Sequence, residues 1–327
     1  MAGIKHVKVD HDESGMRFDR WFKAHYPYVA FGDLQKLLRS GQIRLDGKRV
    51  KSGDRVNLDQ VIRIPPLDFL SNNKNTSQSL SKLCESTDKD ELLNRMLLYE
   101  DREVYVFNKL AGLAVQGGSG ISLHMDYLLE AWRNAKGEKP RLVHRLDRET
   151  SGIFVVARTR NAAQSFSEAF RNRNTEKTYW LLVKGVPKKY EGRISSWLIK
   201  KEGIGSDYVK VAMHGEKGAG HAVSYFKVIQ TVAKKFCWLE MKPYTGRTHQ
   251  LRVHALHIGH PIIGDTKYFI NDPNWHLPEN IPKQLHLHAR YIDIPHPSGG
   301  RLQVTAPLPS HMVQTWNLLG FDYHENV

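Results

Sequence analysis

Residues 141–158, RLVHRLDRETSGIFVVAR, place one carboxylate, Asp147, between the guanidinium groups of Arg145 and Arg148. Leu142, Val143 and Leu146 surround its approach and Ile153 to Val156 follow, so Asp147 is expected in a turn between two strands. Flanking cations favour the anionic form of a carboxylate, which suits a nucleophile and not a general acid. Taken alone, an aspartate in such a turn more often ties down turn amides or pairs with an arginine. Ser151 lacks the G-x-S-x-G elbow, so it reads as a turn residue and not as a hydrolytic nucleophile. His249, His254, His257 and His260, with His286 and His288 further on, raise the question of a metal, because i,i+3 spacing can align imidazoles on one helix face. No H-E-x-x-H and no Cys-x-x-Cys accompanies them, so no metal site is expected, and phosphate contact or stacking fits them better.

Forty-eight Lys and Arg against 34 Asp and Glu give a net charge of +14. Such a balance draws a chain toward polyanions through counterion release, with RNA the leading partner. Lys109, Arg141, Arg145, Lys177 and Lys184 are candidate cleft cations, each of which would otherwise be an ordinary surface charge. The run Gln116-Gly117-Gly118-Ser119-Gly120 precedes a helical pattern and could cradle phosphate. Without a Walker lysine or a G-x-G-x-x-G fingerprint, a plain turn is the better reading.

The elements that must position these residues divide by composition. A length of 327 residues suggests about two domains. Residues 14–65 read as a compact basic unit, 66–91 as a polar Ser/Asn-rich linker, and 92–323 as one large domain. In the first unit Phe18, Trp21, Phe22 and Tyr26 recur at helical spacing, and Leu34, Leu37 and Leu38 do so again after the turn at Pro27. Asp46-Gly47, set among Ile43, Leu45 and Val50, signals a tight hairpin turn. No window approaches the ~18 apolar residues of a membrane span, and Asp10, Asp12 and Glu13 sit where a signal peptide is apolar. Neither membrane nor export is expected, and two cysteines, Cys84 and Cys237, fit a reducing cytoplasm.

Nine consecutive positions, HRLDRETSG from His144 to Gly152, closely resemble the catalytic motif of the RluA family of pseudouridine synthases. The resemblance implies that Asp147 is the indispensable catalytic residue. EKTYWLLVKG at 176–185 is similar to the family strand whose tyrosine, here Tyr179, packs against the target uracil. YTGRTHQLRVH at 244–254 resembles a third family segment, which implies that Arg252 pairs with Asp147 and that Arg247 contacts phosphate. Residues 33–64 resemble an S4 domain, a small RNA-binding module. That likeness implies that Gln35, Lys36, Arg39, Arg44, Lys48 and Arg49 face structured RNA, with Arg145 an RNA contact at the cleft. An S4 module before such a catalytic domain resembles the branch of the family that acts on large-subunit (23S) ribosomal RNA. The implied fold is α+β: an S4-like module linked to a mixed, mostly antiparallel sheet flanked by helices, with a monomer as the default. The Ser/Asn linker and the stretch TKYFINDPNWHLPEN after Gly264 depart from the family pattern.

Isomerising uridine to pseudouridine breaks the N1–C1′ bond, turns the base and rejoins it through C5, exchanging only the C5 proton with solvent. No redox or group-transfer cofactor is required. The reaction needs one carboxylate near C1′ or C6, an aromatic wall for the detached base and a cation beside the carboxylate. Asp147, Tyr179 and Arg252 would fill these roles. Addition to C6, attack at C1′ and a glycal route stay open. A non-catalytic RNA-binding factor and a base-releasing glycosylase are the competing readings; the first needs no such carboxylate, and the second would leave free uracil.

Overall fold

The computed structural model describes residues 5–26, 29, 31–65, 88–118, 121–201, 208–269 and 275–323. The chain falls into two units, one from Met1–Glu85 with Gln116–Tyr127 and one from Ser86–Val115 with Leu128–Val327. The first unit thus takes in Gln116–Tyr127, which a division into 14–65, a linker at 66–91 and 92–323 does not anticipate. Ser119 and Gly120 of the glycine-rich run lie outside the described residues, as do 66–87 of the expected linker and 270–274 of the stretch after Gly264. Among the described residues no helix is long and apolar enough to cross a membrane.

In the first unit, helix α1 (Phe18–His25) buries Phe18, Trp21 and Phe22 on one face. Asp19 in its first turn and Lys23 and His25 in its last complement the helix dipole. Helix α2 spans Phe31–Arg39. Strands β1 (Lys5–Lys8), β2 (Arg44–Leu45), β3 (Lys48–Arg49) and β4 (Val61–Ile64) form a sheet of order β1-β4-β2-β3. The unit thus begins earlier than residue 14, because β1 pairs antiparallel with β4. Asp46 (φ 46°) and Gly47 (φ 76°) are both left-handed, as a two-residue hairpin loop between β2 and β3 requires.

The second unit opens with helix α3 (Lys89–Met96), which buries Leu92, Leu93 and Met96. Residues 88–91, expected as linker, are instead its cap and first turn: the Asp88 carboxylate accepts from the Asp90 amide at 3.4 Å. Eleven strands follow: β5 (Leu97–Glu100), β6 (Val104–Lys109), β7 (Arg141–Leu142), β8 (Ser151–Ala157), β9 (Glu176–Lys184), β10 (Glu191–Lys201), β11 (Tyr208–Ala212), β12 (Gly220–Val232), β13 (Phe236–Pro243), β14 (Leu287–Pro295) and β15 (Arg301–Thr305). Their order is β11-β10-β12-β13-β9-β14-β8-β6-β5, with β15 on β14 and β7 on β8. Every pairing is antiparallel except β14 with β8, so the sheet is mixed and mostly antiparallel, as expected. Helices α4 (Arg160–Arg171), α5 (Gln250–His257) and α6 (Ser310–Leu319) complete the unit.

All seven residues of β8 are buried, which is why its sequence reads as a continuous apolar run and not an alternation. At the parallel contact Gly152 has φ +105°, and a Cβ there would lie 2.2 Å from the Ala289 carbonyl oxygen. The glycine of the T-S-G motif is therefore set by the close crossing of two backbones. Trp180, Trp238 and Trp316 fill the core near α6, ring edge to ring face.

Candidate active site

A cavity of about 620 Å³ opens over the sheet of the second unit. It is lined by the loop that carries Asp147, by β9 through Lys177 and Tyr179, and by the segment from Pro243 to Arg252. The loop between β7 and β8 is held from several sides. The His144 ring accepts the Val155 amide proton at Nε2 (2.8 Å) and stacks on Phe170 at 4.6 Å. Burial, with the Lys177 charge adding to it, pushes His144 down to about 3, so the ring is a neutral acceptor. Lys109 is fully buried, and its Nζ donates to the carbonyls of Leu110 (2.9 Å), Leu113 (2.8 Å) and Arg148 (3.1 Å). Burial pulls Lys109 down to about 7, against the upward pull of Glu149 and Asp147.

The Asp147 side chain is 17 % exposed and faces two groups from around α5. Arg252 Nη1 lies 3.9 Å from Oδ2, and His249 Nε2 lies 3.9 Å from Oδ1. Arg252 is itself fixed: Nε and Nη2 each donate at 2.7 Å to the Asp265 carboxylate, and the guanidinium lies 5.0 Å over the Tyr268 ring. Asp265 also accepts from the amides of Lys267 (2.9 Å) and Tyr268 (3.0 Å). Burial works against the Arg252 charge, and Asp265 and then Asp147 more than offset it, leaving the group shifted up.

His249 stands before the first turn of α5 in a left-handed conformation (φ 52°). Its Nδ1 is 2.8 Å from the Tyr268 hydroxyl, which accepts the Val209 amide proton at 2.9 Å. The hydroxyl proton is then free to go to Nδ1, which leaves the imidazole proton on Nε2, toward Asp147. Burial lowers the His249 pKa more than the Asp147 carboxylate raises it. Tyr179 pairs with Met241 on one side and Ala289 on the other, so its ring projects from the middle of the sheet. Burial first, and the Asp147 carboxylate second, push its hydroxyl well above the usual phenol range.

Asp147, Tyr179, Arg252, Arg145 and Arg247 thus share one cavity. Arg145 is exposed on its wall, and the exposed Arg247 donates from Nε to the His221 carbonyl at 3.3 Å. Three sequence expectations need correction. The cation beside Asp147 is Arg252, whereas Arg148 turns to Glu149 at 2.7 Å, because that adjacent carboxylate takes its guanidinium. Lys109 is a buried tie of the loop and not a cleft cation. Arg141 and Lys184 do not line the cavity, and Lys184 sits 5.3 Å over the Trp275 ring.

The sequence reading missed Asp265, Tyr268 and the place of His249. The last carries a signal, three residues before Arg252 in T-H-Q-L-R. Three of the other histidines have partners elsewhere: His254 meets Ser224 (3.0 Å) and Ser196 (3.1 Å), His286 meets Thr315 (2.9 Å), and His288 meets Ser151 (2.9 Å). Burial pushes His254 down to about 4 and His286 and His288 to about 3. In the first unit Lys36, Arg39, Arg44, Lys48 and Arg49 are exposed and Gln35 is half-buried. Arg44 folds back onto the carbonyls of Gly41 (3.2 Å) and Gly47 (3.0 Å).

Comparison with known proteins gives this geometry a context. The family model described as RNA pseudouridylate synthase matches residues 103–257. Ribosomal large subunit pseudouridine synthase C of Buchnera aphidicola subsp. Acyrthosiphon pisum is 33% identical, over 93% of this chain and 94% of its own. RNA pseudouridine synthase 4, mitochondrial, of Arabidopsis thaliana is 32% identical, over 96% of this chain and 81% of its own. The solved structure of human RNA Pseudouridylate Synthase Domain Containing 4 superposes with a TM-score of 0.59 at 27% identity, covering 71% of this chain and 95% of that one.

Proposed function

The chain belongs to the RNA pseudouridylate synthase family, and from that premise we propose that it isomerises specific uridines of 23S ribosomal RNA with Asp147 as the nucleophile. Its resemblance within the family runs toward the RluC branch, and relatives named ribosomal large subunit pseudouridine synthase C support the substrate. The observation that carries the role of Asp147 is its place in the cavity, 3.9 Å from an arginine whose direction Asp265 fixes.

The target base leaves its stack to enter the cavity, at a cost of a few kcal/mol that phosphate contacts offset. Arg145 and Arg247 on the cavity wall and the basic face of the first unit, read as S4-like, supply such contacts. Tyr179 walls the base while it is detached and turned. Arg252 balances the charge on Asp147 as bonds to C1′ break and form, and its buried clamp lets it do so without reorganising. The chemistry calls for no group beyond these side chains and the proton leaving C5. The protein is proposed to act as a monomer in the cytoplasm, with ribosomal RNA its partner.

The test is nucleoside analysis of unmodified 23S rRNA after incubation with the protein. Pseudouridine in the chain at discrete positions supports the reading. Free uracil with an abasic ribose would point to a glycosylase, and unchanged RNA bound at normal affinity would point to a binding factor.

A further inference from the structure

Beside the cavity runs a second groove of about 290 Å³, which shares Arg173, Lys177, Pro243 and Tyr244 with it. Four cations line the groove, and they differ in what they face. Lys242 is paired with Glu176 at 2.6 Å, and Arg301 with the Asp293 carboxylate. Arg173 and Lys177, the two at the junction with the cavity, have no carboxylate partner among the described residues. Lys177 is half-buried, and burial alone pulls its pKa down. An ammonium withdrawn from water without an anion is unfavourable unless a ligand supplies one.

Two further features single out the junction. Thr175, 8 % exposed, lines the groove, and its Oγ1 is buried without a hydrogen-bond partner among the described residues. Arg173 follows the C-terminal cap of α4 with φ +60°, a left-handed position where glycine or asparagine is favoured. An arginine kept there holds its guanidinium 4.8 Å over the ring of Tyr244, which is 50 % exposed. Thr175, Lys177 and Tyr179 fall at two-residue intervals along an extended segment, so they share one face at steps of about 6.5 Å. That row leads from the groove into the cavity, ending at the aromatic wall of the candidate active site.

We propose that this groove is a binding subsite for the nucleotide adjoining the target uridine, its phosphate held by Arg173, Lys177 and the Thr175 hydroxyl and its base stacked on Tyr244. The proposal rests on the reading that the target uridine enters the cavity. A phosphate meets the two free cations and the idle donor together, and a base covers the half-exposed ring. Stacking on an exposed tyrosine tolerates any base, so the subsite contributes affinity and registers the strand without reading sequence.

The test measures affinity for an RNA oligonucleotide spanning a mapped target uridine, over a range of salt concentrations. The phosphates on either side of that uridine are replaced in turn by neutral methylphosphonates. Wild-type protein is expected to lose about tenfold in affinity for one of the two replacements, about the value of one charge-assisted contact. R173Q and K177Q should each bind the natural RNA about threefold more weakly and lose only about a further threefold with that replacement, because the other cation remains. Each should also flatten the salt dependence by about 0.7 in log–log slope for the phosphate charge it no longer neutralises. T175V, which keeps shape and all charges, should weaken binding about threefold without changing the slope. Losses that multiply independently, or wild-type indifference to both replacements, would overturn the subsite. Turnover measured in parallel separates the two readings: coupling without pseudouridine formation retains the subsite and removes the activity, and turnover without coupling does the reverse.

Discussion

Replacing Arg252 by lysine keeps the charge and removes the fork, and the geometry says what that should do. Arg252 meets Asp265 through Nε and Nη2 at 2.7 Å each while Nη1 remains 3.9 Å from Asp147. An ammonium is a single point and cannot serve both carboxylates. The Asp265 side chain is fully buried, so leaving it unpaired is the costlier choice, and the lysine should stay there and withdraw from Asp147. At 3.9 Å and an effective dielectric of ~20, the Arg252–Asp147 attraction is about 4 kcal/mol. That attraction also holds Asp147 in one direction, and a nucleophile released to lie about 1 Å out of line lowers the rate on the order of 30- to 200-fold. Arg252 is only 4 % exposed and offers little surface to RNA, so KM should change less than about twofold. Trading two charge-assisted bonds for one costs about 2 kcal/mol, which at ~2–4 °C per kcal/mol for a unit of this size lowers Tm by about 4–8 °C. Single-turnover kinetics on 23S rRNA with thermal unfolding alongside provides the assay. A variant within threefold of wild type in rate, or one whose loss lies entirely in KM, would refute the reasoning and move the role to a phosphate contact.

Three other perturbations probe the supports. Lys109 sits at about 7 in the folded chain against 10.5 unfolded, so between those values the unfolded chain holds a proton that the folded chain has released. Stability from this group therefore rises with pH across that window, at up to about 1.4 kcal/mol per pH unit, and its burial cost is present in full below pH 7. Lys109→Met should flatten that rise in urea unfolding between pH 6.5 and 9.5; an unaltered pH profile would contradict the assignment. Tyr268→Phe removes the proton given to His249 Nδ1 and should lower kcat about tenfold with KM unchanged, at a stability cost of about 1 kcal/mol for the Val209 amide left without its acceptor. Full kcat in that variant would dispose of the tautomer argument. Gly152→Ala places a Cβ 2.2 Å from the Ala289 oxygen at a backbone angle alanine avoids, and should cost about 4 kcal/mol or more, read as lost soluble yield. A fall under about 1 kcal/mol would mean the two strands can separate there.

What the sequence disclosed depended on how locally each feature is encoded. The loop of Asp147 was legible because strand-like runs bracket it within a few residues, and the Asp46-Gly47 turn because two left-handed residues in a row demand that dipeptide. Arg252 stood in a contiguous motif, but Asp265, which aims it, lies thirteen residues on in an irregular stretch with no pattern to mark it. Tyr268 falls in the stretch after Gly264 that looks like an insertion, yet its hydroxyl reaches back to the site. Helix α5 is buried from Gln250 to Ala255, so its polar residues follow no amphipathic period and point to partners instead of solvent. Strand β1 has one apolar residue in four and is recognisable only from its pairing with β4. Lys109 looked like a cation because its three carbonyl partners come from the turn after β6 and from the Asp147 loop, a meeting that tertiary structure alone creates.

The central claim is that Asp147 performs the isomerisation, and release of tritium from 23S rRNA labelled at C5 of uridine tests it most directly. Exchange of that proton accompanies rejoining of the base through C5 and nothing else in the proposed reaction. Wild-type protein should release tritium in step with pseudouridine formed, whereas Asp147→Asn, nearly identical in shape, should release none above background while still binding the RNA. Tritium release by the Asn variant at a rate near that of wild type would contradict the account.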